Sequence, residues 1–187
     1  MNKERVAMVS VLACICIAVA ALLGYVNGIT KDRIEAIAND KMQSAMEEII
    51  PGAVFKEIPL PDTSKLDKAF FAEDETGNKT AFCAKVTVSG FADDIVLIVG
   101  TDLNGSVTGV KITQINETAG LGSKTNDEAW LSQFKGLSGS INLKKVKTLP
   151  TDVAAVSGAT ISSSAVTGGV QTALDEAAVY LGGANDE

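Results

Sequence analysis

The sequence predicts an α+β protein: an N-terminal transmembrane helix and helical stalk, then an antiparallel-sheet domain flanked by helices. Three observations lead there. Residues Val6 to Val26 (VAMVSVLACICIAVAALLGYV) form a 21-residue run without a charge. The middle of the chain alternates β-branched and aromatic residues with tight-turn dipeptides, the mark of consecutive hairpins. The C-terminal part places Val166, Val170, Leu174, Ala177 and Leu181 at helical spacing behind a serine-rich loop.

The first run is long enough to cross a bilayer as a helix. A cleaved signal peptide is the rival reading, but the A-x-A site Ala18-Val19-Ala20 lies inside the apolar run, and no lipid-attachment cysteine follows it. An uncleaved single-span anchor over 1–29 is expected. Lys3 and Arg5 flank one end, Lys31 and Arg33 the other, so the positive-inside rule barely selects an orientation. The short N-terminal tail favours a cytoplasmic N-terminus and an extracytoplasmic globular part. Cys14 and Cys16 read as small apolar side chains within the span rather than as metal ligands.

From 30 to 52 a juxtamembrane helical stalk is expected, with Ile34, Ile37, Ala38, Ala45, Met46 and Ile49 on one stripe and Pro51-Gly52 as its stop. Residues 53–187 then form the globular domain. Ala53 to Ile58 is short and mixed, and Pro59 to Lys68 is a loop. Phe70-Phe71-Ala72 and Lys79 to Ser89 flank Glu75-Thr76-Gly77-Asn78, a hairpin signal. Phe82, Ala84, Val86 and Val88 alternate with Cys83, Lys85 and Thr87, which predicts a sheet with one wet face. Ile95 to Gly100 is a central strand, and Val107 to Ile115 returns beside it through Asn104-Gly105. Consecutive hairpins predict an antiparallel sheet rather than a βαβ-wound one.

Asn116-Glu117-Thr118-Ala119-Gly120-Leu121-Gly122-Ser123 is irregular. It reads as a simple turn or as a loop letting backbone approach a ligand, since glycine carries no side-chain barrier. A short helix, Asp127 to Phe134, is expected behind a cap at Thr125 or Asn126. Trp130 and Phe134, four apart on it, read as a core pair. Ile141 to Lys147 reads as an edge-like strand. Ser157 to Ser164 is free of charge and feeds the last helix. A helix start of this kind offers unpaired N–H groups and the positive end of a dipole, which is physically a phosphate cradle, although serine and threonine also serve as plain caps.

Composition excludes several chemistries. The 187-residue chain has no histidine, which removes Ser-His-Asp and Cys-His nucleophiles and His-ligated zinc or haem. Its three cysteines are no disulfide framework, and Cys83 reads as a buried thiol. Beyond residue 30 there are 14 basic and 22 acidic residues, a formal charge of −8, with no basic stripe for nucleic acid.

Taken in order, the N-terminal span, the stalk ending in Pro51-Gly52, the hairpins, Glu117-Thr118-Ala119-Gly120-Leu121-Gly122, Trp130 with Phe134, and Ser157-Gly158-Ala159-Thr160 before Ile161 and Ser162 resemble the FMN-binding G subunit of the Rnf ion-translocating ferredoxin:NAD oxidoreductase. The resemblance covers essentially the whole chain. The related C subunit of the sodium-pumping NADH:quinone oxidoreductase shares the domain, and the short length fits the Rnf subunit better. The resemblance implies that Thr160 carries FMN through a phosphoester made by a separate flavin transferase. Ser157, Gly158 and Ala159 would complete the attachment loop, with Ile161 and Ser162 beyond it, and Glu117, Thr118, Gly120 and Leu121 near the flavin. It implies an electron-transfer subunit working with other membrane subunits of an Rnf-type complex, without independent substrate turnover. The sequence departs from the family pattern in three places. Ala119 stands for a proline. Ala154 stands where an acidic residue read by the transferase is usual, Asp152 being the nearest carboxylate. Phe91-Ala92-Asp93-Asp94 stands for a glycine-rich turn. A non-redox membrane-anchored assembly module and a free-standing extracytoplasmic flavoprotein reductase are the other functional readings.

Overall fold

The computed structural model describes residues 3–182. It divides into two compact units, 1–41 and 42–187. Helix α1 (Lys3–Ile49, 47 residues) begins in the first unit. It is the one helix among the described residues that is long and apolar enough to cross a membrane. From Met8 to Ile29 its large apolar side chains are exposed all round. Such a helix has no polar face for water and calls for an apolar solvent.

The second unit is built on a five-stranded antiparallel meander in the order β1-β2-β3-β4-β5: β1 (Val54–Ile58), β2 (Lys68–Glu73), β3 (Lys79–Ser89), β4 (Asp94–Asp102) and β5 (Val107–Gln114). The hairpin turns fall where the sequence places them. Gly77 and Gly105 adopt φ 84° and 75°, a conformation that costs glycine little. Asp74 accepts from Thr76 and Asn78, so the β2–β3 turn closes on its own side chains.

The strand residues divide between two faces as their alternation requires. Phe82, Ala84, Val86, Ile95, Leu97 and Val99 point toward helix α3 (Thr160–Gly182), where Val166, Val170, Ala173, Leu174 and Ala177 meet them. Helix and sheet approach closely at Gly169. A Cβ there would lie 3.0 Å from Val88 Cγ1 and still nearer Leu97 Cδ1. Phe82 is fully buried, stacked on Tyr180 with ring centroids 5.6 Å apart and edge-on to Phe71 at 5.9 Å.

The opposite face is not wet. Met42, Ala45 and Met46, from the last turns of α1, pack on Phe70, Cys83 and Ile98, with Ile49 and Phe55 beside them. Gly100 and Gly109 lack side chains where Ile49 lies against the strands. Only the C-terminal half of the expected stripe, Ala45, Met46 and Ile49, joins Met42 in this second apolar layer, while Ile34, Ile37 and Ala38 stay exposed; Glu48 pairs with Lys111 at the layer's edge. Burial in that layer pushes the Cys83 thiol up to about 12, which fits an inert packed sulfur.

Between sheet and α3 the chain is less regular than its sequence pattern. The expected helix 127–134 is a 3-10 turn (Gly122–Asn126), a single helical turn α2 (Glu128–Leu131) and another 3-10 turn (Ser132–Phe134). Neither Thr125 nor Asn126 caps α2. Asp127 holds that position without a side-chain bond, and Thr125 Oγ1 donates instead to Gly122 C=O at 2.7 Å. Trp130 and Phe134 do form a core pair, 5.3 Å apart and edge to face. The edge-like strand is shorter than expected: β6 (Asn142–Lys144) pairs in parallel with β7 (Asp152–Ala154). The β7 segment carries no strand pattern of its own. The buried Asp152 Oδ2 accepts from Thr148 N–H, Thr148 Oγ1 and Leu149 N–H, closing the β6–β7 loop. Trp130 Nε1 donates to Ala154 C=O at 2.7 Å, while Ala154 N–H donates to Gln133 Oε1.

Phe82→Ala is expected to cost ~3–5 kcal/mol, as large-to-small changes at filled core sites do; urea denaturation of the variant measures it.

Candidate FMN site

Helix α3 begins at Thr160, halfway along the Ser157–Ser164 run. Gly158, at φ 80°, turns the chain into it, and a Cβ there would meet Leu121 at 3.1 Å. The first intrahelical bond runs from Ser163 N–H to Ala159 C=O, 2.9 Å. The residue before the helix is thus an alanine, which has no oxygen to cap with. The N–H groups of Thr160, Ile161 and Ser162 precede that bond, and the first turn contains no acidic residue. The plain-cap reading of the serines does not hold at this position. Ser163 Oγ, fully buried, instead accepts from Val156 N–H at 3.0 Å and fixes the approach to the helix.

A cavity of about 380 Å³ opens beside this helix start. Its lining is Phe91, Glu117, Thr118, Leu121, Gly122 and residues 158–162. Eight of the residues singled out from the sequence therefore meet at one place: Glu117, Thr118, Leu121, Gly158, Ala159, Thr160, Ile161 and Ser162. Gly120 and Ser157 stand outside the lining. Gly120 takes φ 78° to turn the loop, and its N–H donates to Ser123 Oγ at 2.9 Å. Ser157 is exposed. Phe91 and Gly122 line the cavity, although the sequence pattern assigned them no place there. The exposure of an aromatic ring at Phe91 depends on the turn that carries it, and no local pattern announces that.

Glu117 joins the three segments. Its Oε1 accepts from Phe91 N–H at 2.7 Å and Ala92 N–H at 3.1 Å, and its Oε2 accepts from Ser162 Oγ at 2.9 Å. Ser162 is buried and its hydroxyl proton is committed to this bond. Two glycines make room for the carboxylate: a Cβ at Gly90 would strike Oε1, and one at Gly122 would strike Oε2 and Ser162 Oγ. Asn116 Nδ2 donates to Asp93 Oδ2 at 2.8 Å, a second tie between the same loops. Desolvation alone would raise the Glu117 carboxyl, but the Ala92 N–H, the Ser162 hydroxyl and the Phe91 N–H outweigh it and hold the group below its ordinary 4.5.

The cavity fits FMN in kind. Its volume lies within the ~300–1,000 Å³ usual for small-molecule sites. It joins free helical N–H donors and an exposed Thr160 hydroxyl to an apolar rim of Phe91, Leu121 and Ile161, which are 67%, 45% and 56% exposed. The FMN-binding domain family matches residues 90–175, which include every residue of this lining. The class is thus a flavoprotein with an FMN-binding domain.

Relatives narrow the class. The chain is 30% identical over 179 residues to the G subunit of the ion-translocating oxidoreductase complex of Photorhabdus laumondii, covering 87% of this chain and 86% of that one. It is 29% identical over 181 residues to the G subunit of the Na(+)-translocating ferredoxin:NAD(+) oxidoreductase complex of Acetobacterium woodii, covering 88% and 87%. Among solved structures, Shewanella oneidensis NqrC shares the fold at TM-score 0.50 and 20% identity, over 65% of this chain and 69% of that one. The protein belongs to the G-subunit family of ion-translocating oxidoreductase complexes.

Gly122→Ala is expected to destabilise the domain by ~1–3 kcal/mol, the usual cost of overpacking, read by chemical denaturation. Because the Glu117 carboxyl is depressed on folding, its contribution is complete above its unfolded value near 4.5 and is lost as pH falls through the folded one. Melting temperature followed downward from pH 6 should accordingly fall more steeply in the wild type than in Glu117→Gln.

Proposed function

We propose that this chain relays electrons through FMN esterified to Thr160, as a subunit of a membrane-bound ion-translocating oxidoreductase complex. The observation that carries the reading is the junction of a bare helix start, an exposed threonine hydroxyl and an apolar rim in one cavity. Residues 158–162 would hold the phosphate, with N–H groups and the helix dipole offsetting its charge. Phe91, Leu121 and Ile161 would receive the ring, while Thr118 and Gly122 complete the wall. The bound flavin supplies the electron-accepting and electron-donating chemistry; the protein supplies position and insulation. Glu117 and the Ser162 hydroxyl position the walls, while the Ser162 N–H stays among the donors for the phosphate. Gly120 and Ser157 act by shaping the two loops. No acid–base apparatus for substrate turnover is invoked, in keeping with a subunit that passes electrons on.

Attachment needs an external flavin transferase, since the ester forms between Thr160 Oγ1 and the flavin phosphate with net loss of water relative to FMN and the free chain. The proposed organisation is a membrane anchor over 1–29, a juxtamembrane helix over 30–52 and an extracytoplasmic FMN domain over 53–187, with the N-terminus cytoplasmic. The all-round apolar surface of the first part of α1 supports the anchor. Contacts with the other membrane subunits of the complex complete the electron path.

On a denaturing gel, the full chain made with its transferase should show a band that fluoresces under ultraviolet light, with an intact mass raised by FMN less water. Thr160→Ala should abolish both signals. Its effect on melting of the flavin-free protein should stay within ~0.5 kcal/mol, as for most exposed positions. A fluorescent band that survives Thr160→Ala would overturn the assignment of that residue.

A further inference from the structure

Among the residues lining the cavity, Glu117 is the one that carries a charge. Three donors hold its oxygens, and among the described residues no lysine or arginine lies within ion-pair distance of it. The arrangement keeps an anion in place and leaves it uncompensated. Gly90 and Gly122 admit the carboxylate where any side chain would displace it. A neutral amide offers an oxygen to the two backbone N–H groups and can still pair with the buried hydroxyl, so the brace can be kept in outline, though more weakly, without a charge.

We propose that the Glu117 carboxylate is a fixed anion that lowers the reduction potential of the flavin held in this cavity. The inference rests on the reading of the cavity as the FMN site. At neutral pH, two-electron reduction of a flavin takes up two electrons and one proton and leaves one additional negative charge on the ring. A fixed carboxylate in the same small cavity disfavours that charge. The interaction is screened less beside the apolar side chains of Phe91, Leu121 and Ile161 than it would be in open water. Ser162 then acts as a positioning residue: its hydroxyl sets where the charge sits and adds no charge itself.

Glu117→Gln separates charge from shape. The amide oxygen can accept from Phe91 and Ala92 N–H, and the amide nitrogen can donate to Ser162 Oγ once that hydroxyl turns. Ser162→Ala does the converse, removing one strut and keeping the charge. The experiment is a mediator-coupled redox titration of the full-length, flavinylated protein in detergent at pH 7, followed by flavin absorbance. The expected result is a midpoint potential more positive than wild type in Glu117→Gln and close to wild type in Ser162→Ala. Thr118→Lys, which places an ammonium at the exposed neighbouring wall position, should also move the potential upward. It carries the test if Glu117→Gln does not load flavin. An unchanged potential in Glu117→Gln, an equal shift in Ser162→Ala, or a potential in Thr118→Lys at or below wild type overturns the inference. Wild-type protein without flavin overturns the reading of the site itself, whereas flavin present with coincident potentials overturns only the role of the charge.

Discussion

The Glu117 carboxylate receives donors from the turn between β3 and β4, 25 and 26 residues earlier, and from the first turn of α3, 45 residues later. Its three bonds tie the Phe91 turn, the loop after β5 and the start of α3 to one side chain. The three bonds share one carboxylate, and side-chain networks of this kind can be worth more together than separately. They also depend on absences: Gly90 and Gly122 must lack side chains for the carboxylate to reach its donors.

The packing beneath determines where that network can form. Val166 and Val170 on α3 seat against β3 and β4, and the close approach at Gly169 sets the height of the helix over the sheet. Once its middle is seated, its N-terminus has one place to be. Ser163, bonded to Val156 N–H, fixes the incoming chain, and the Trp130 and Gln133 side chains hold Ala154 two residues upstream of Val156. The stability of the core and the geometry of the site are therefore one problem, as the second apolar layer under the sheet also indicates. That layer, made by the last turns of α1, covers the other face of β3 and β4.

On the proposed function, openness is a requirement rather than a defect. A relay must let electrons in and out, so its ring needs an accessible edge, and the rim of Phe91, Leu121 and Ile161 is exposed. Few direct contacts would remain to retain a freely dissociating cofactor in so shallow a place. The proposed covalent ester would remove the need for tight binding and leave the cavity walls free to tune the ring instead, the task proposed for the carboxylate in the wall.

Local order along the chain was legible from the amino acids. The charge-free run from Val6 to Val26, the turns at Gly77 and Gly105, strands β2 to β5 and the last helix are short-range patterns that tertiary context did not override, whereas β1 lies in a short, mixed stretch whose pattern did not mark it. The Ser157–Thr160 and Glu117–Leu121 elements stood out only as a pair, since a serine-rich helix start and a glycine-containing turn are each common alone. What the tertiary structure alone decided was non-local. The C-terminal half of the stalk stripe covers the face of the sheet expected to be wet, because Cys83 and Ile98 are apolar enough to accept Met42 and Met46. The parallel pair β6–β7 rests on a buried aspartate that closes its loop, a contact with no periodicity to reveal it. The residue before α3 proved to be Ala159, because Gly158 turns the chain one step earlier than a serine cap would need. Sequence determines which segments become helix, strand or loop through nearest-neighbour preferences; which side chains then share a cavity is settled by packing between segments far apart in the chain.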